Sequence, residues 1–459
     1  MGIKGNRVSG NLDLEWPSAL ILAGQKHPDN PILAEEPPNL SVTGFRDPFV
    51  APWPALDRAR DSKPSLYGLI SGGVHLDGPK TFLYAIAPND LTKWTYLYPL
   101  AIDIPSNHQP AGRWGGDFGT NWECTNFLSL EGPNGSTREV VIAGSEGGKE
   151  QTQITKYHES HPNVPRRSPS YSNWFIGSLH SVKGDMRLDI GTSGLLDWGV
   201  FYAANHFQAA DGRKLMWGWI KEEDLDDATL ERRGWTGCLG IVREVYLQTY
   251  ENVVGGLRSS LDEIGSIDAK ASEVGSEITT LGIRPFAEIE QLRQSALVSW
   301  ESETIDSATR LCITSTPLAC EIKTKISIHE DTRSVSLTVR HDKDRTTRTV
   351  ITFDCETEEI HVDRSRSTSR DDINTAQEWG SLTLFRLHDT ITGSSKIELL
   401  ELDVFLDHDV LEVFANGRFA LATRVYTDPA GTGISIFSDG PMTIESLDIW
   451  PLETVRSDS

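Results

Sequence analysis

A chain of 459 residues, 38% apolar and 24% charged, has room for one large repeat domain plus a smaller one, with ample apolar content for their cores. Its formal net charge of -23 excludes the basic field that nucleic acid or an anionic membrane surface requires. No stretch approaches the roughly 18 apolar residues of a membrane helix, and the five scattered cysteines, with no CxxC pair, indicate neither a disulfide framework nor a zinc site.

Met1-Gly2-Ile3-Lys4-Gly5-Asn6 opens a polar segment, and the first apolar run, Ala19-Leu20-Ile21-Leu22-Ala23, is too short and too late for a secretory leader. With the reduced cysteines, this sets the expected location as cytoplasmic. Residues 1 to about 255 are dense in short apolar runs between Gly, Pro, Asn and Asp. Phe82–Ala87, Glu139–Gly144, Val200–Ala203 and Leu215–Ile220 have the β-branched and aromatic content and the flanking turn residues of strands. Blade-like repetition of about 50 residues favours a propeller over a closed barrel.

The texture changes at Gly255-Gly256. Residues 256–298 read as a connector with short helical turns, as at Leu257–Ile264 and Glu288–Arg293. From 299 to 459 strands resume: Glu321–Ile328 and Ser334–Val339 alternate with period two, as half-buried antiparallel strands do. Leu402–Asp407 and Val410–Ala415 continue the pattern into the hairpin turn Asn416-Gly417, and a β-sandwich is the expected second domain.

Motifs occur in order along this frame: Phe45-Arg46-Asp47-Pro48, Trp122-Glu123-Cys124, Asp197-Trp198-Gly199-Val200-Phe201-Tyr202-Ala203, Asp211-Gly212-Arg213 followed by Trp217-Gly218-Trp219, Gly234-Trp235-Thr236-Gly237 leading to Arg243-Glu244, Val362-Asp363-Arg364-Ser365-Arg366-Ser367, and Asp407–Gly417. Together they resemble glycoside hydrolase family 32. The resemblance implies an all-β fold, a five-bladed β-propeller followed by a C-terminal β-sandwich, with the propeller over 1–255. The family opens its propeller with a Trp-Met-Asn-Asp-Pro-Asn-Gly-like segment whose Asp is the nucleophile, and nothing in residues 1–45 reads that way. The first blade is therefore expected to be truncated. Asp13, Glu15 and Asp29 are the carboxylates available there, and none has that context.

By the same resemblance Glu123 is the acid/base, Asp47 holds sugar hydroxyls, and Arg46 completes the catalytic set. Glu123 lies between Trp122 and Cys124, an apolar setting in which a carboxylic acid can serve as proton donor; pairing with a nearby Arg such as Arg113 is the structural alternative. Trp53, Arg113, Trp114, Trp122, Tyr202, His206 and Trp235 are expected to bind substrate. The Gly-rich loop Asn107–Asn121, with Trp, Phe, His and Arg just before Glu123, suits a flat organic ligand at a propeller mouth at least as well as a sugar.

Without a nucleophile a double displacement has no first step. The favoured expectation is therefore a repurposed small-molecule enzyme, similar to fungal biosynthetic proteins that assist pericyclic reactions, including hetero-Diels–Alder coupling of a tropolone quinone methide with a sesquiterpene alkene. Such an enzyme acts by positioning and hydrogen bonding, with Arg46, Arg113 or His206 polarising the heterodiene oxygen. A β-fructofuranosidase and a noncatalytic carbohydrate-binding propeller are the alternatives. The partner is a small molecule, a polycyclic intermediate or a fructoside, and not nucleic acid or membrane. A shortened first blade leaves a strand edge that a second copy can cover. Scattered histidines and the lack of a phosphate-binding loop give no reason to expect a metal or an organic cofactor.

Overall fold

The apolar runs become strands that hydrogen-bond to their sequence neighbours, so the sheets are local meanders strung along the chain. A computed structural model shows this for residues 27–28, 30–101, 104–305, 311–313, 315–428 and 431–453. The first sheet joins β1 (Val42–Pro52), β2 (Leu66–Val74), β3 (Gly78–Ala87) and β4 (Asp90–Pro99) in that order. The second joins β5 (Asn121–Glu131), β6 (Thr137–Glu146), β7 (Ser170–Val182) and β8 (Asp185–Asp197).

The third sheet contains β9 (Phe201–Gln208), β10 (Lys214–Ile220), β11 (Cys238–Leu239), β12 (Arg243–Gly255), β13 (Asp268–Ala271) and β14 (Ser276–Pro285). β10 carries β9 on one edge and, in succession, β12 and β11 on the other. Beyond Val298 two six-stranded sheets pack face to face as the sandwich, around one large aliphatic cluster that includes Ile322, Val339, Val404, Leu411 and Ile444. The expected all-β propeller followed by a β-sandwich is what the chain forms, and among the described residues the propeller strands fall into these three sheets.

One boundary differs. The stretch 256–298 does carry short 3-10 turns, Leu261–Glu263 and Ala287–Leu292, but β14 lies between them, paired with β12 from Arg243↔Pro285 to Val253↔Ser276. Ile278, Leu281 and Ile283 are buried there. Burial of these side chains makes the stretch part of the propeller's last sheet as far as Pro285, rather than connector alone.

Buried aromatic clusters hold the sheets together. Trp53, Tyr67, Leu83, Phe118, Trp122, Phe127 and Phe175 fill the space between the first and second sheets. Trp174, Phe201, Met216 and Val245 do the same between the second and third, and Phe405 and Phe414 of the sandwich join them.

The two domains are also sewn by backbone. Trp198 N donates to Ala420 O at 2.9 Å and Val200 N to Ala422 O at 2.8 Å, so the β8–β9 link adds to the edge strand Phe419–Arg424 of the sandwich. Gly199 is obligatory in this joint, because a Cβ there would lie 1.9 Å from Ala422 O. Asp197 Oδ1 accepts from Gly199 N and Ala422 N, and its Oδ2 meets Arg243 Nη2 at 2.9 Å. The same Nη2 reaches Glu412 Oε2 of the sandwich at 2.9 Å, and the guanidinium lies 3.6 Å from the Phe201 ring centroid. Burial pushes both carboxyls up, against the opposing pull of Arg243.

Candidate active site

Three strands bend at matching places. β1 loses register between Arg46 and Phe49, β5 between Glu123 and Asn126, and the β9–β10 pair between Tyr202 and Asn205. At each bend one non-glycine residue is left-handed: Asp47 at φ 56°, Cys124 at φ 47° and Ala203 at φ 52°. Such conformations cost roughly 1–3 kcal/mol apiece and concentrate where a chain must re-aim side chains. Here the bends bring Arg46 and Asp47, Glu123, and Tyr202 into one group.

Glu123 is gripped at both oxygens. Oε1 accepts from Arg46 Nε at 3.0 Å and lies 2.9 Å from Arg46 Nη2, while Oε2 accepts from the Tyr202 hydroxyl at 2.7 Å. Tyr202 reaches across because Gly144 on β6 has no side chain: a Cβ there would lie 2.8 Å from the phenol. Arg46 Nη2 also pairs with Glu146 Oε2, and Asn121 Nδ2 donates to that same oxygen at 2.9 Å. Asp47 Oδ2 accepts from Cys124 N at 3.2 Å and is 3.9 Å from Arg46 Nε. Three carboxylates therefore surround one guanidinium. The Arg46 and Asp47 side chains are each 36% exposed, so a solute can reach the group.

The electrostatics narrow the chemistry. Burial works against the charge on Arg46, but Glu123 and Glu146 outweigh it and hold the guanidinium protonated. Burial, reinforced by the hydrogen bond to Glu123, raises the Tyr202 phenol far above its ordinary value, which keeps it a donor. Burial, with Asp47 and Glu123 alongside, pushes the Cys124 thiol up to about 12, which excludes a thiolate nucleophile.

His206 enters through Asn126. Asn126 Nδ2 donates to Cys124 O at 2.9 Å and Ala204 O at 2.8 Å, tying the β5 and β9 bends together, and its Oδ1 is 2.8 Å from His206 Nδ1. Phe49 covers the imidazole at 5.2 Å.

Five expected substrate-binding residues lie elsewhere. Trp53 is fully buried, stacked on Phe127 at 4.1 Å with its indole N–H on Glu139 at 2.5 Å. Trp122 is equally buried, stacked on Phe175 with its N–H on Phe118 O. Both are core, because their neighbours leave no face for a ligand. Arg113 is not the partner of Glu123: it binds Glu358 at 2.9 Å and Thr357 O in the sandwich, and lies over Trp114 at 4.2 Å. Trp114 is buried with Ile264 and Phe385. The loop Asn107–Asn121 thus packs into the domain seam, with Asp117 accepting from Gly119 N and Lys149 N. Trp235 is 48% exposed and stacks at 4.0 Å with Arg233, the guanidinium that pairs with Glu222 and Asp409. Glu146, Asn121 and Asn126 belong to the site without having been expected there. Asp13, Glu15 and Asp29 lie outside the described residues.

Comparison with known proteins gives two family matches. Residues 18–255 match the glycosyl hydrolases family 32 N-terminal domain and residues 288–451 the family 32 C-terminal domain. The chain is 24% identical, over 95% of its length, to an acid beta-fructofuranosidase of Vigna radiata var. radiata, and it covers 63% of that protein. It is 25% identical over 62% of its length to the fructan 1-exohydrolase w2 of Triticum aestivum, covering 42% of it. The chain thus spans under two thirds of the length of these curated relatives. Among solved structures it resembles a beta-fructofuranosidase of Aspergillus kawachii, with 27% identity and a TM-score of 0.80 over 94% of this chain and 74% of that one. A fructosyltransferase of A. japonicus gives 25% identity and a TM-score of 0.79, covering 94% of this chain and 76% of that one.

Proposed function

The chain belongs to glycosyl hydrolase family 32, and on that premise we propose that it is a fructoside-processing glycoside hydrolase in which Glu123 moves the proton and Asp47 holds sugar hydroxyls. The observation that carries this reading is Glu123 clamped between Arg46 and Tyr202 with a second carboxylate, Glu146, on the same guanidinium nitrogen. Two oxygens that share one nitrogen lie no more than about 5 Å apart, which is too close for the roughly 6.5–9.5 Å spacing of inverting glycosidases and so favours the retaining class. Glu146 is therefore the carboxylate we put opposite Glu123. The fructoside names of the relatives favour this reading over the pericyclase one.

The steps balance with those two groups. Glu123, as the acid, protonates the glycosidic oxygen, the anomeric C–O bond breaks, and a Glu146 oxygen bonds to the anomeric carbon. Water then gives one proton to Glu123 and bonds as hydroxide to that carbon while the bond to Glu146 breaks, its electron pair returning to the carboxylate, and fructose leaves with both carboxyl groups restored. Arg46 neutralises charge on both carboxylates through the cycle.

A product assay on sucrose, raffinose, inulin and levan tests the reading. Fructose release from at least one is expected, reduced about 10²–10⁴-fold by Glu123→Gln. Release from none of the four overturns hydrolysis. Acid-quenched mass spectrometry locates the covalent fructosyl group: a peptide bearing Glu146 is expected, and turnover that survives Glu146→Gln places the nucleophile elsewhere.

A further inference from the structure

The third sheet has a bare apolar face. Met216 and Ile220 turn from β10 into the cluster shared with the second sheet, so Trp217 and Trp219, one residue out of phase, turn the other way. Leu239 sits opposite Trp219 in the β10–β11 pair, and the Phe207 ring lies 6.0 Å from Trp217. These four side chains are between 39% and 67% exposed. Single exposed apolar residues are ordinary, but a contiguous set of two indoles, a phenyl ring and a leucine marks an interaction surface.

The first sheet shows such a face when it is covered. Tyr67, Leu69 and Leu83 turn toward the second sheet, while on the opposite face Ile70, Phe82 and Tyr84 are buried with Leu33 and Leu40 packed against them. Strands β1, β5 and β9 converge where Phe49 meets Phe127 at 5.3 Å and His206 at 5.2 Å. The free faces of the first and third sheets therefore look onto one sector that no described sheet fills. Leu33 puts the chain in that sector just after residues 1–26, which lie outside the described residues.

That segment contains a matching occupant. Ala19-Leu20-Ile21-Leu22-Ala23 is an uncharged apolar run, and the family 32 match begins at residue 18, so the run belongs to the propeller domain. Ten residues separate Ala23 from Leu33, a reach of up to about 33 Å against the roughly 10 Å between packed layers. The charged groups beside the bare face are already paired, Glu244 with Arg284 and Arg213 with Asp211 and Glu288, which suits an uncharged cover. A second copy brings another net charge of -23 against this one, whereas the run is tethered and carries none.

We propose that residues 18–23 fold back against Phe207, Trp217, Trp219 and Leu239 and cover the free face of the third sheet. The cover is independent of the chemistry at Glu123.

Hydroxyl-radical footprinting of the full chain, read by mass spectrometry at Trp217 and Trp219, tests this. Both indoles should oxidise at least threefold more slowly in the parent than in a Leu20→Asp, Leu22→Asp double variant. Hydrogen exchange gives the reciprocal reading: a Trp217→Ser, Trp219→Ser double variant should raise the exchange rate of amides 19–23 at least tenfold while Thr137–Glu146 keeps its protection. Equal oxidation in the first comparison, or equal exchange in the second, overturns the proposal. Indole protection that grows with protein concentration, with a dimer in sedimentation, assigns the face to a second copy and overturns it as well. The tryptophan variant alters only half-exposed side chains, so the exchange measurement stands if the leucine variant does not fold.

Discussion

His206 carries a pH dependence that its contacts define. Asn126 spends its amide N–H groups on two carbonyls, so its Oδ1 must accept and the imidazole proton must sit on Nδ1. Burial, with Lys214 adding to it, pulls His206 down from 6.5 to about 4. Between those values the unfolded chain binds more protons than the native one. The stabilisation from a neutral His206 is therefore complete above about pH 6.5 and drains as pH falls toward about 4, by at most about 3 kcal/mol. Urea denaturation across that window should show His206→Gln losing less stability on acidification than the parent. Equal losses would remove His206 from the account.

The three bends, each with a left-handed residue, act as one device for pointing Asp47, Glu123 and Tyr202 inward. At Ala203 a glycine relieves the strain and a β-branched residue increases it. Ala203→Gly should gain about 0.5–1 kcal/mol by chemical denaturation, while Ala203→Val should lose stability and fructose release together. Loss of stability in Ala203→Gly would mean the bend is not strained. Much of this level was legible beforehand. Strands Gly78–Ala87, Thr137–Glu146 and Lys214–Ile220 contain the runs that β-branched and aromatic residues marked, and Asn416-Gly417 does turn, at φ 48° and 63°. Arg46, Glu123 and Tyr202 stood out because they sit in contiguous motifs. Glu146 did not, because its link to the site is the hairpin register Asn121↔Glu146, which exists only once β5 and β6 pair. Trp53, Trp114 and Trp122 misled for the opposite reason: composition does not distinguish a ring stacked in the core from one left open to a ligand.

At the scale of the molecule, the propeller and the sandwich share one interior. Phe405 and Phe414 lie in the propeller's cluster, and Arg243 pairs with Asp197 of the propeller and Glu412 of the sandwich on one buried nitrogen. Removing one member of such a buried set costs about 3–5 kcal/mol, because the remaining charge is left unpaired. Calorimetry should accordingly give one melting transition for the whole chain, and Gly199→Ala, which forces a Cβ against Ala422 O, should lower it or split it in two. An unchanged single transition in that variant would show that the backbone joint does not couple the domains. The net charge of -23 adds self-repulsion that salt screens, so modest salt should raise the melting temperature. The Asp197 joint also has a timetable. Arg243 is made 169 residues before Glu412, and Asp197 225 residues before the Ala422 amide it accepts from. At ribosomal speeds of about 5–20 residues per second, Arg243 waits roughly 10–30 s for Glu412. During synthesis the finished blades therefore expose an open strand partner and a guanidinium that has Asp197 but still lacks Glu412, so the nascent propeller is the stage at which this protein depends most on chaperones.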